Sequence, residues 1–276
     1  MLTRIVTALV ATAVFLPVLY FSHTPVFAAV LALLSLIAVL EMLRCVGLWR
    51  KWALTVPSCL AAAALPLLPY WLGRAQIEQI VLLTAFALVL YFFAVMTFSR
   101  GSIKLQDAAI AFFTTFYVIC CFTALSTLRY GVTAGNYVYL ICFIGAWVTD
   151  TFAYFTGFLV GKHKLIPDVS PQKTVEGSIG GIVFCIASML LYGYIISVIT
   201  KGALTPNYLL LGVSGVAVSV VSQVGDLVMS AIKRQYGIKD YGKLFPGHGG
   251  VLDRFDSVLA VALVLLLITP FGNLFA

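Results

Sequence analysis

Charged residues are scarce in this chain. Asp, Glu, Lys and Arg make up 10% of its 276 residues, hydrophobic residues make up 62%, and the mean hydropathy is +1.07. A soluble domain carries about 25% charged residues, so lipid rather than water must solvate most of this surface. The apolar residues form long unbroken runs instead of short alternating segments, which excludes a transmembrane barrel and requires helices. The sequence therefore predicts an all-α, polytopic integral membrane protein.

Cysteine motifs and internal repeats are also missing. The six cysteines lie within or at the ends of apolar runs, and no two of them are spaced as C-x-x-C. This placement is typical of buried apolar residues and speaks against a disulfide framework or a zinc site. The inverted repeat that marks many transporters is not evident either.

Nine apolar runs are long enough to cross a bilayer, which takes about 20 residues. The first run resembles a signal peptide, but further spans follow at once, so we interpret it as a retained first helix. The connections are too short for a soluble domain, so we predict one membrane domain, 1–276, in which 1–136 carry no recognisable motif and 137–276 carry the candidate catalytic residues. The predicted spans are 5–21, 25–43, 52–72, 79–98, 108–128, 137–158, 178–199, 206–229 and 255–274.

Lysine and arginine are distributed unevenly between the connections. With nine spans, Arg74, Arg129 and Lys201 fall on one side of the membrane. This asymmetry predicts a cytoplasmic N-terminus. The net charge of +7 is then a signal of topology and no evidence for nucleic-acid binding. The other fourteen basic residues lie on the predicted cytoplasmic side: Arg4, Arg44, Arg50, Lys51, Arg100, Lys104, Lys162, Lys164, Lys173, Lys233, Arg234, Lys239, Lys243 and Arg254.

Besides Asp256 at the start of the ninth span, two aspartates lie within predicted spans, where a carboxylate is costly and marks a candidate functional site. Asp150 lies in the sixth span, and a structural hydrogen bond to another helix is its alternative role. Asp226 lies in the eighth span, on a polar stripe with helical spacing that should line a cavity or a helix interface, because polar groups facing lipid would be costly. The stripe consists of Ser219, Ser222, Gln223, Asp226, Ser230 and Lys233.

The connection after the sixth span contains a possible helix start. Ser170 would be the N-cap and Pro171 the first helical residue. Lys173 and Thr174 would then lie in the first turn, where free backbone N–H groups favour an anion. The segment predicts a phosphate site, with a solvated basic loop as the alternative.

The last connection is the most polar part of the chain. Its glycines allow a tight turn around His248 and a close approach of backbone N–H groups to a ligand. Asp253 and Asp256 follow at the start of the ninth span. Together with the dense lysines and arginines, these features predict a polyphosphate site with a divalent cation, for which oxygen ligands favour Mg²⁺. The glycines of this turn are Gly247, Gly249 and Gly250.

From Ser230 to Asp256 the chain resembles the signature of phosphatidate cytidylyltransferases, also called CDP-diacylglycerol synthases. Two further elements of that family occur upstream, Asp150-Thr151-x-Ala153-Tyr154 and Ser170-Pro171-x-Lys173-Thr174-x-Glu176-Gly177. A match of this length is far more specific than a lone glycine motif. The signature positions filled here are Ser230, Lys233, Arg234, Lys239, Asp240, Gly242, Phe245, Pro246, His248, Gly249, Gly250, Asp253, Arg254 and Asp256.

The resemblance implies an enzyme that converts CTP and phosphatidic acid into CDP-diacylglycerol and pyrophosphate with Mg²⁺. It implies an active site facing the cytoplasm in the inner or plasma membrane of a bacterium, with membrane lipid and no nucleic acid as partner. A second cation and a homodimer are left open.

The resemblance also assigns roles to residues. Asp226 and Asp253 match the aspartate pair of the family and are the expected metal ligands, with Asp256 as a third ligand or an outer group. His248 either contacts a phosphate or only shapes the turn. The catalytic candidates are Asp226, Asp253, Lys233, Arg234 and Arg254. The substrate-binding candidates are Asp150, Ser170, Lys173, Thr174, Ser230, Lys239, Asp240, His248, Gly249 and Gly250.

Two other functions would also suit a polytopic membrane protein with basic loops. A CTP-using lipid kinase of the polyprenol or phytol type would transfer the γ-phosphoryl group and release CDP. The Asp253-Arg254 pair after His-Gly-Gly favours the cytidylyltransferase. A transporter for an anionic solute would use Asp150 and Asp226 for protons or cations, but it typically shows paired helix breaks that this sequence lacks.

Overall fold

The structure, a computed structural model, describes residues 2–276. Helices dominate this range, and one short two-stranded sheet interrupts them. The helices are α1 (Leu2–Tyr20), α2 (Pro25–Cys45), α3 (Trp52–Ala64), α4 (Arg74–Phe98), α5 (Leu105–Tyr130), α6 (Gly135–Val138), α7 (Leu140–Val160), α8 (Val175–Ile199), α9 (Tyr208–Gln235) and α10 (Leu252–Ile268). The strands are β1 (Lys164–Ile166) and β2 (Ser170–Thr174), and 3-10 turns cover Phe21–His23, Leu65–Tyr70 and Thr269–Phe271.

The helices confirm the predicted all-α, polytopic membrane class. Within residues 2–276, eight helical segments are long and apolar enough to cross a membrane. A shorter apolar stretch, Leu9–His23, combines most of α1 with the 3-10 turn that follows it and corresponds to the first predicted span. The eight segments are Pro25–Cys45, Trp52–Tyr70, Arg74–Phe98, Leu105–Tyr130, Gly135–Val160, Val175–Ile199, Tyr208–Gln235 and Leu252–Phe271.

The connection after α7 differs from the prediction. Ser170 does not cap a helix and Pro171 does not begin one, because both lie in β2, which pairs antiparallel with β1. Thr174 is the N-cap instead, and its hydroxyl accepts a hydrogen bond from Gly177 N at 3.1 Å. The physical reason is that both strands of a two-stranded sheet are edge strands, where proline is tolerated.

The carboxylate of Glu176 ties this hairpin to the start of α8. It accepts hydrogen bonds from the backbone nitrogens of Lys162 and His163, at 3.1 and 3.2 Å, and pairs with the His163 ring at 2.6 Å. These bonds fix where the hairpin ends and the helix begins. Lys173 is therefore presented by a strand next to the helix, not by the first turn of the helix.

The chain divides into two compact units that are not contiguous in sequence. The first contains the chain up to Gly131 together with Gln235–Arg254, and the second contains Val132–Arg234 and Phe255–Ala276. Most of the signature segment, Ser230–Asp256, therefore folds with the N-terminal helices. The single membrane domain stays a prediction.

In the first unit, α2 and α5 pack against each other and against the 3-10 turn Leu65–Tyr70. Phe27 and Met42 of α2, and Phe122 and Leu125 of α5, are among its fully buried side chains. This core holds α2 in a fixed position, which matters for the signature segment that folds with it.

In the second unit, α7 and α8 lie unusually close because glycines line their contact. A Cβ atom at Gly180 would lie 2.3 Å from Thr156 Oγ1, and one at Gly177 would lie 2.5 Å from the carbonyl oxygen of Ala153. Small residues let membrane helices approach each other in this way. The close contact fixes the start of α8, and with it β2, against α7.

Candidate active site

A cavity of about 580 Å³ opens in the second unit. Helix α7, the hairpin, and the facing parts of α8 and α9 all contribute to its wall. The structure thus brings together five site residues predicted from the sequence: Asp150, Ser170, Lys173, Thr174 and Asp226. The polar residues of the wall are Asp150, Tyr154, Lys164, Ser170, Gln172, Lys173, Thr174, Ser178, Gln223 and Asp226.

Helix α9 places Asp226 in this wall because its polar and apolar residues occupy opposite faces. Ser219, Ser222 and Gln223 of the stripe are buried. The opposite face is exposed and consists of valines at helical spacing, which suits contact with lipid. The predicted inward orientation of the stripe is confirmed for these residues. The exposed valines are Val213, Val216, Val220, Val224 and Val228.

Charges of both signs meet at this cavity. Lys173 Nζ forms an ion pair with a carboxylate oxygen of Asp226. Asp150 Oδ2 accepts a hydrogen bond from the Ser257 hydroxyl at 3.2 Å. Asp150, Asp226 and Asp256 lie within electrostatic range of one another, so the carboxylates repel each other and favour a nearby cation.

Asp226 could supply one carboxylate ligand to a magnesium ion that is bound together with a substrate. Within the described part of the chain, no three His, Cys, Asp or Glu side chains are grouped so that they alone could hold a metal. Mg²⁺ usually takes one or two protein carboxylates and completes its shell with phosphate oxygens and water. Lys173 already gives Asp226 the positive charge that a divalent cation would give it.

A second cavity, of about 670 Å³, lies in the first unit and is formed by the signature segment. Basic side chains and glycines make up most of its wall, as expected for an anion site. The candidates Lys239, Asp240, His248, Gly249 and Arg254 all lie there. The full wall consists of Lys239, Asp240, Gly242, Lys243, Phe245, Pro246, Gly247, His248, Gly249 and Arg254.

The tight turn predicted around His248 is confirmed. Gly247 and Gly249 have φ angles of 76° and 89°, in the left-handed region that favours glycine. Phe245 N donates to the carbonyl oxygen of Gly249 at 2.9 Å, and His248 N donates to that of Phe245 at 2.8 Å. Only the glycines allow the chain to reverse this sharply, and the reversal leaves the His248 ring in the wall of the cavity.

Asp253 is bound to the backbone of the same segment. Its Oδ2 atom accepts hydrogen bonds from the backbone nitrogens of Tyr241 and Gly250, at 2.8 and 2.9 Å, and the residue is 7% exposed. The carboxylate therefore joins the start of α10 to two points of the preceding loop. Its role as a metal ligand stays a prediction.

Glu41 of α2 contacts the signature segment and is not among the site residues predicted from the sequence. Its two carboxylate oxygens accept hydrogen bonds from Val251 N and Leu252 N, each at 3.0 Å. A signal was present, because Glu41 is the one charged residue of the predicted span 25–43. An ionisable residue within a membrane span is a functional candidate by default.

Some predicted site residues lie elsewhere. Arg234 is exposed and Lys233 half-buried in the last turn of α9, and both Asp253 and Gly250 are buried. The roles predicted for these residues stay predictions. The candidates outside the walls of these two cavities are Ser230, Lys233, Arg234, Gly250, Asp253 and Asp256.

The fold and the site residues define a polytopic helical membrane protein with candidate anion-binding residues in each of two units. The model of the Cytidylyltransferase family matches residues 2–271, and the chain belongs to that family. It is 35% identical over 269 residues to the phosphatidate cytidylyltransferase of Staphylococcus haemolyticus, strain JCSC1435. It is 36% identical over 271 residues to that of Staphylococcus aureus, strain COL.

Each of these alignments covers 95% of this chain and 96% of the relative. The similarity therefore extends over the N-terminal helices as well as the signature. The resemblance found in the sequence is confirmed, and the chain is a nucleotidyltransferase.

Proposed function

We propose that the protein converts CTP and phosphatidic acid into CDP-diacylglycerol and pyrophosphate. The similarity to relatives named phosphatidate cytidylyltransferase, over 95% of the chain, carries this proposal. The two cavities support it, because each contains basic side chains suited to phosphate groups.

In this reaction a phosphate oxygen of phosphatidic acid attacks the α-phosphorus of CTP. A new P–O bond forms while the bond from the α-phosphorus to the oxygen that bridges to the β-phosphorus breaks, and pyrophosphate leaves with the electron pair. The attacking phosphate is already ionised near neutral pH, so neither a serine nor a cysteine nucleophile is needed. Positioning of the two phosphates and neutralisation of their charge account for catalysis.

Each cavity contains cations that suit phosphate groups. Lys173 neutralises phosphate charge at the second-unit cavity, and Lys239 and Arg254 do so at the signature segment. Arg254 offers a planar pair of donors that suits bidentate phosphate contacts.

Asp226 and Asp256 would hold Mg²⁺, and Asp253 is retained as a predicted ligand. Bound there, the ion would supply positive charge to phosphate oxygens. The grouping of Asp150, Asp226 and Asp256 within electrostatic range supports this assignment.

We place the reaction at the cytoplasmic surface of a bacterial inner or plasma membrane. CTP is a cytosolic nucleotide, and the headgroup of phosphatidic acid lies at the membrane interface. The fourteen lysines and arginines assigned to that side would attract both polyanions. The staphylococcal origin of the relatives supports a bacterial membrane.

The direct test incubates the purified protein with CTP labelled in the cytidine, phosphatidic acid and Mg²⁺. Equimolar CDP-diacylglycerol and pyrophosphate are expected, and neither product should form when phosphatidic acid is omitted or Mg²⁺ is chelated. A parallel reaction offers a polyprenol in place of phosphatidic acid. Formation of CDP and a phosphorylated lipid alcohol there, without CDP-diacylglycerol in the first reaction, would identify a lipid kinase instead.

A further inference from the structure

Glu41 is a buried acidic residue in the last turns of α2, with 4% of its surface exposed. Both of its carboxylate oxygens are engaged by the signature segment, more than 200 residues away in sequence. Oε1 accepts from Val251 N and Oε2 accepts from Leu252 N, each at 3.0 Å. Hydrogen bonds to a charged acceptor are about twice as strong as neutral ones, so this is a firm attachment.

The signature segment is shaped to admit this carboxylate. A Cβ atom at Gly242 or at Gly250 would lie 2.2 Å from Glu41 Oε1. Neither glycine has a positive φ angle, so the requirement at both positions is for space and not for an unusual backbone conformation. Two glycines of the segment therefore leave room for a side chain that the N-terminal half supplies.

The attachment lies next to the residues that line the first-unit cavity. Val251 and Leu252 immediately precede Asp253 and Arg254, and Leu252 begins α10. A carboxylate at the start of a helix binds backbone N–H groups that have no partner within the helix. Glu41 thus caps the start of α10, within three residues of Arg254, which lines the cavity.

Helix α1 adds a second contact between a side chain of the N-terminal helices and the backbone of this loop. The Thr7 hydroxyl donates to the carbonyl oxygen of Pro246 at 2.9 Å. Two helices that carry no recognisable motif therefore hold the motif-bearing loop at Pro246 and at Val251–Leu252.

We propose that Glu41 is a positioning residue for the nucleotidyl transfer: its carboxylate fixes the loop 239–254 so that Arg254 and His248 face the phosphate-binding cavity. The inference rests on the proposed function for its activity readout. Its structural content, a fixed loop, can be measured without any substrate.

The test compares Glu41→Gln with Ser35→Ala. Glutamine keeps the size of the side chain but replaces one acceptor oxygen with an NH2 donor that faces a backbone N–H group. Ser35 is the matched control, because it is a fully buried polar residue of the same helix and its hydroxyl has no hydrogen-bond partner in the described structure. Each variant is assayed for kcat/KM with CTP, for Tm, and for backbone hydrogen exchange across the chain.

We expect Glu41→Gln to lower kcat/KM about tenfold or more and to speed exchange selectively in 239–254, because a backbone donor loses its charged acceptor. Ser35→Ala should match the wild type in all three measurements. The double variant Glu41→Gln, Gly250→Ala should be no worse than the worse single variant, since both changes disturb one contact.

Equal kcat/KM in Glu41→Gln and Ser35→Ala would overturn the proposal, as would losses that multiply in the double variant. Should the glutamine variant fail to fold, Glu41→Asp retains the charge and withdraws it by one methylene. In this variant too, backbone hydrogen exchange must be faster in 239–254 than in the wild type. Unchanged exchange there would equally overturn the proposal. If the wild-type protein forms no CDP-diacylglycerol, the proposed function fails on its own, and the exchange measurement still decides the role of Glu41.

Discussion

The acidic residues at the two cavities have different partners. In the first unit, Glu41 and Asp253 accept hydrogen bonds from four backbone nitrogens and are buried within the signature segment. In the second unit, Asp150 and Asp226 line a cavity, and Asp226 is paired with a lysine side chain. The first arrangement fixes the shape of a loop, whereas the second leaves carboxylates in reach of a ligand.

The carboxylates bound to backbone nitrogens stabilise the shape of a loop, whereas the carboxylate paired with a lysine contributes charge to a cavity. Backbone N–H groups cannot move away from a carboxylate without unfolding the loop, so Glu41 and Asp253 act on structure. A lysine side chain is flexible and can exchange one anion for another, so Asp226 can trade Lys173 for a metal ion and Lys173 can trade Asp226 for a phosphate. Substitutions of Asp226 and Lys173 are therefore expected to affect ligand binding, and substitutions of Glu41 and Asp253 to affect the loop.

The largest effect is expected for Asp226→Asn. The substitution keeps the size of the side chain and removes its charge, so Mg²⁺ would lose a ligand at the reacting phosphates. We expect kcat to fall by about 100-fold or more, the range seen when a charge-stabilising group is removed. Asp168→Asn, in the exposed turn between β1 and β2, is the control and should leave kcat unchanged. Full turnover in Asp226→Asn would remove the metal assignment while leaving the reaction itself in place.

Asp253→Asn tests whether Asp253 only holds the loop or also binds the metal ion. Asparagine keeps a carbonyl oxygen that can accept from Tyr241 N and Gly250 N, so the loop should keep its fold. If Asp253 is also a metal ligand, as the sequence predicts, activity falls by about 100-fold or more despite the intact loop. Hydrogen exchange across 239–254 reports the loop, and CDP-diacylglycerol formation reports the chemistry. An intact loop with at most a tenfold loss would restrict Asp253 to holding the loop.

A smaller effect is expected for Lys173→Met, which removes the charge that faces Asp226. Loss of one phosphate contact should raise the KM for a substrate about tenfold, because a hydrogen bond to a charged group contributes about 1.5–3 kcal/mol. Lys201→Met removes an exposed lysine from the α8–α9 connection and serves as the control. Steady-state kinetics with each substrate varied in turn will show which phosphate Lys173 contacts. An unchanged KM for both substrates would confine Lys173 to its ion pair with Asp226.

Much of this arrangement could be predicted from the sequence. The long apolar runs indicated the helices, and the polar spacing of α9 indicated that Ser222 and Gln223 face inward, because lipid leaves polar side chains few alternatives. The helix start at Ser170 was wrong, since a Ser-Pro pair suits an edge strand as well as a helix N-terminus. What distinguishes them here is the bond from Gly177 N to Thr174, together with the contacts of Glu176.

The contact of Glu41 with Val251 and Leu252 lay beyond sequence reasoning for a different reason. The two segments are 210 residues apart, and hydrophobic patterning describes which face of a helix is buried but not what it is buried against. The lone charge of Glu41 within an apolar run marks it as a functional candidate, but only the fold shows that its partners are Val251 and Leu252.

The smallest effect is expected for Asp107→Asn, a carboxylate of the first unit that serves neither cavity. Asp107 Oδ2 accepts from Lys104 N at 2.8 Å and pairs with Lys51 Nζ at 2.6 Å, with the two side chains 21% and 31% exposed. Asparagine can keep the backbone bond at the start of α5 and loses only a partly exposed ion pair, which contributes about 0–1 kcal/mol. Denaturant unfolding should therefore change little, and kcat should equal that of the wild type. A loss of activity comparable to that of Glu41→Gln would mean that any acidic residue holding a helix start in this unit affects the reaction, and the distinction between carboxylates that fix the signature loop and those that do not would be lost.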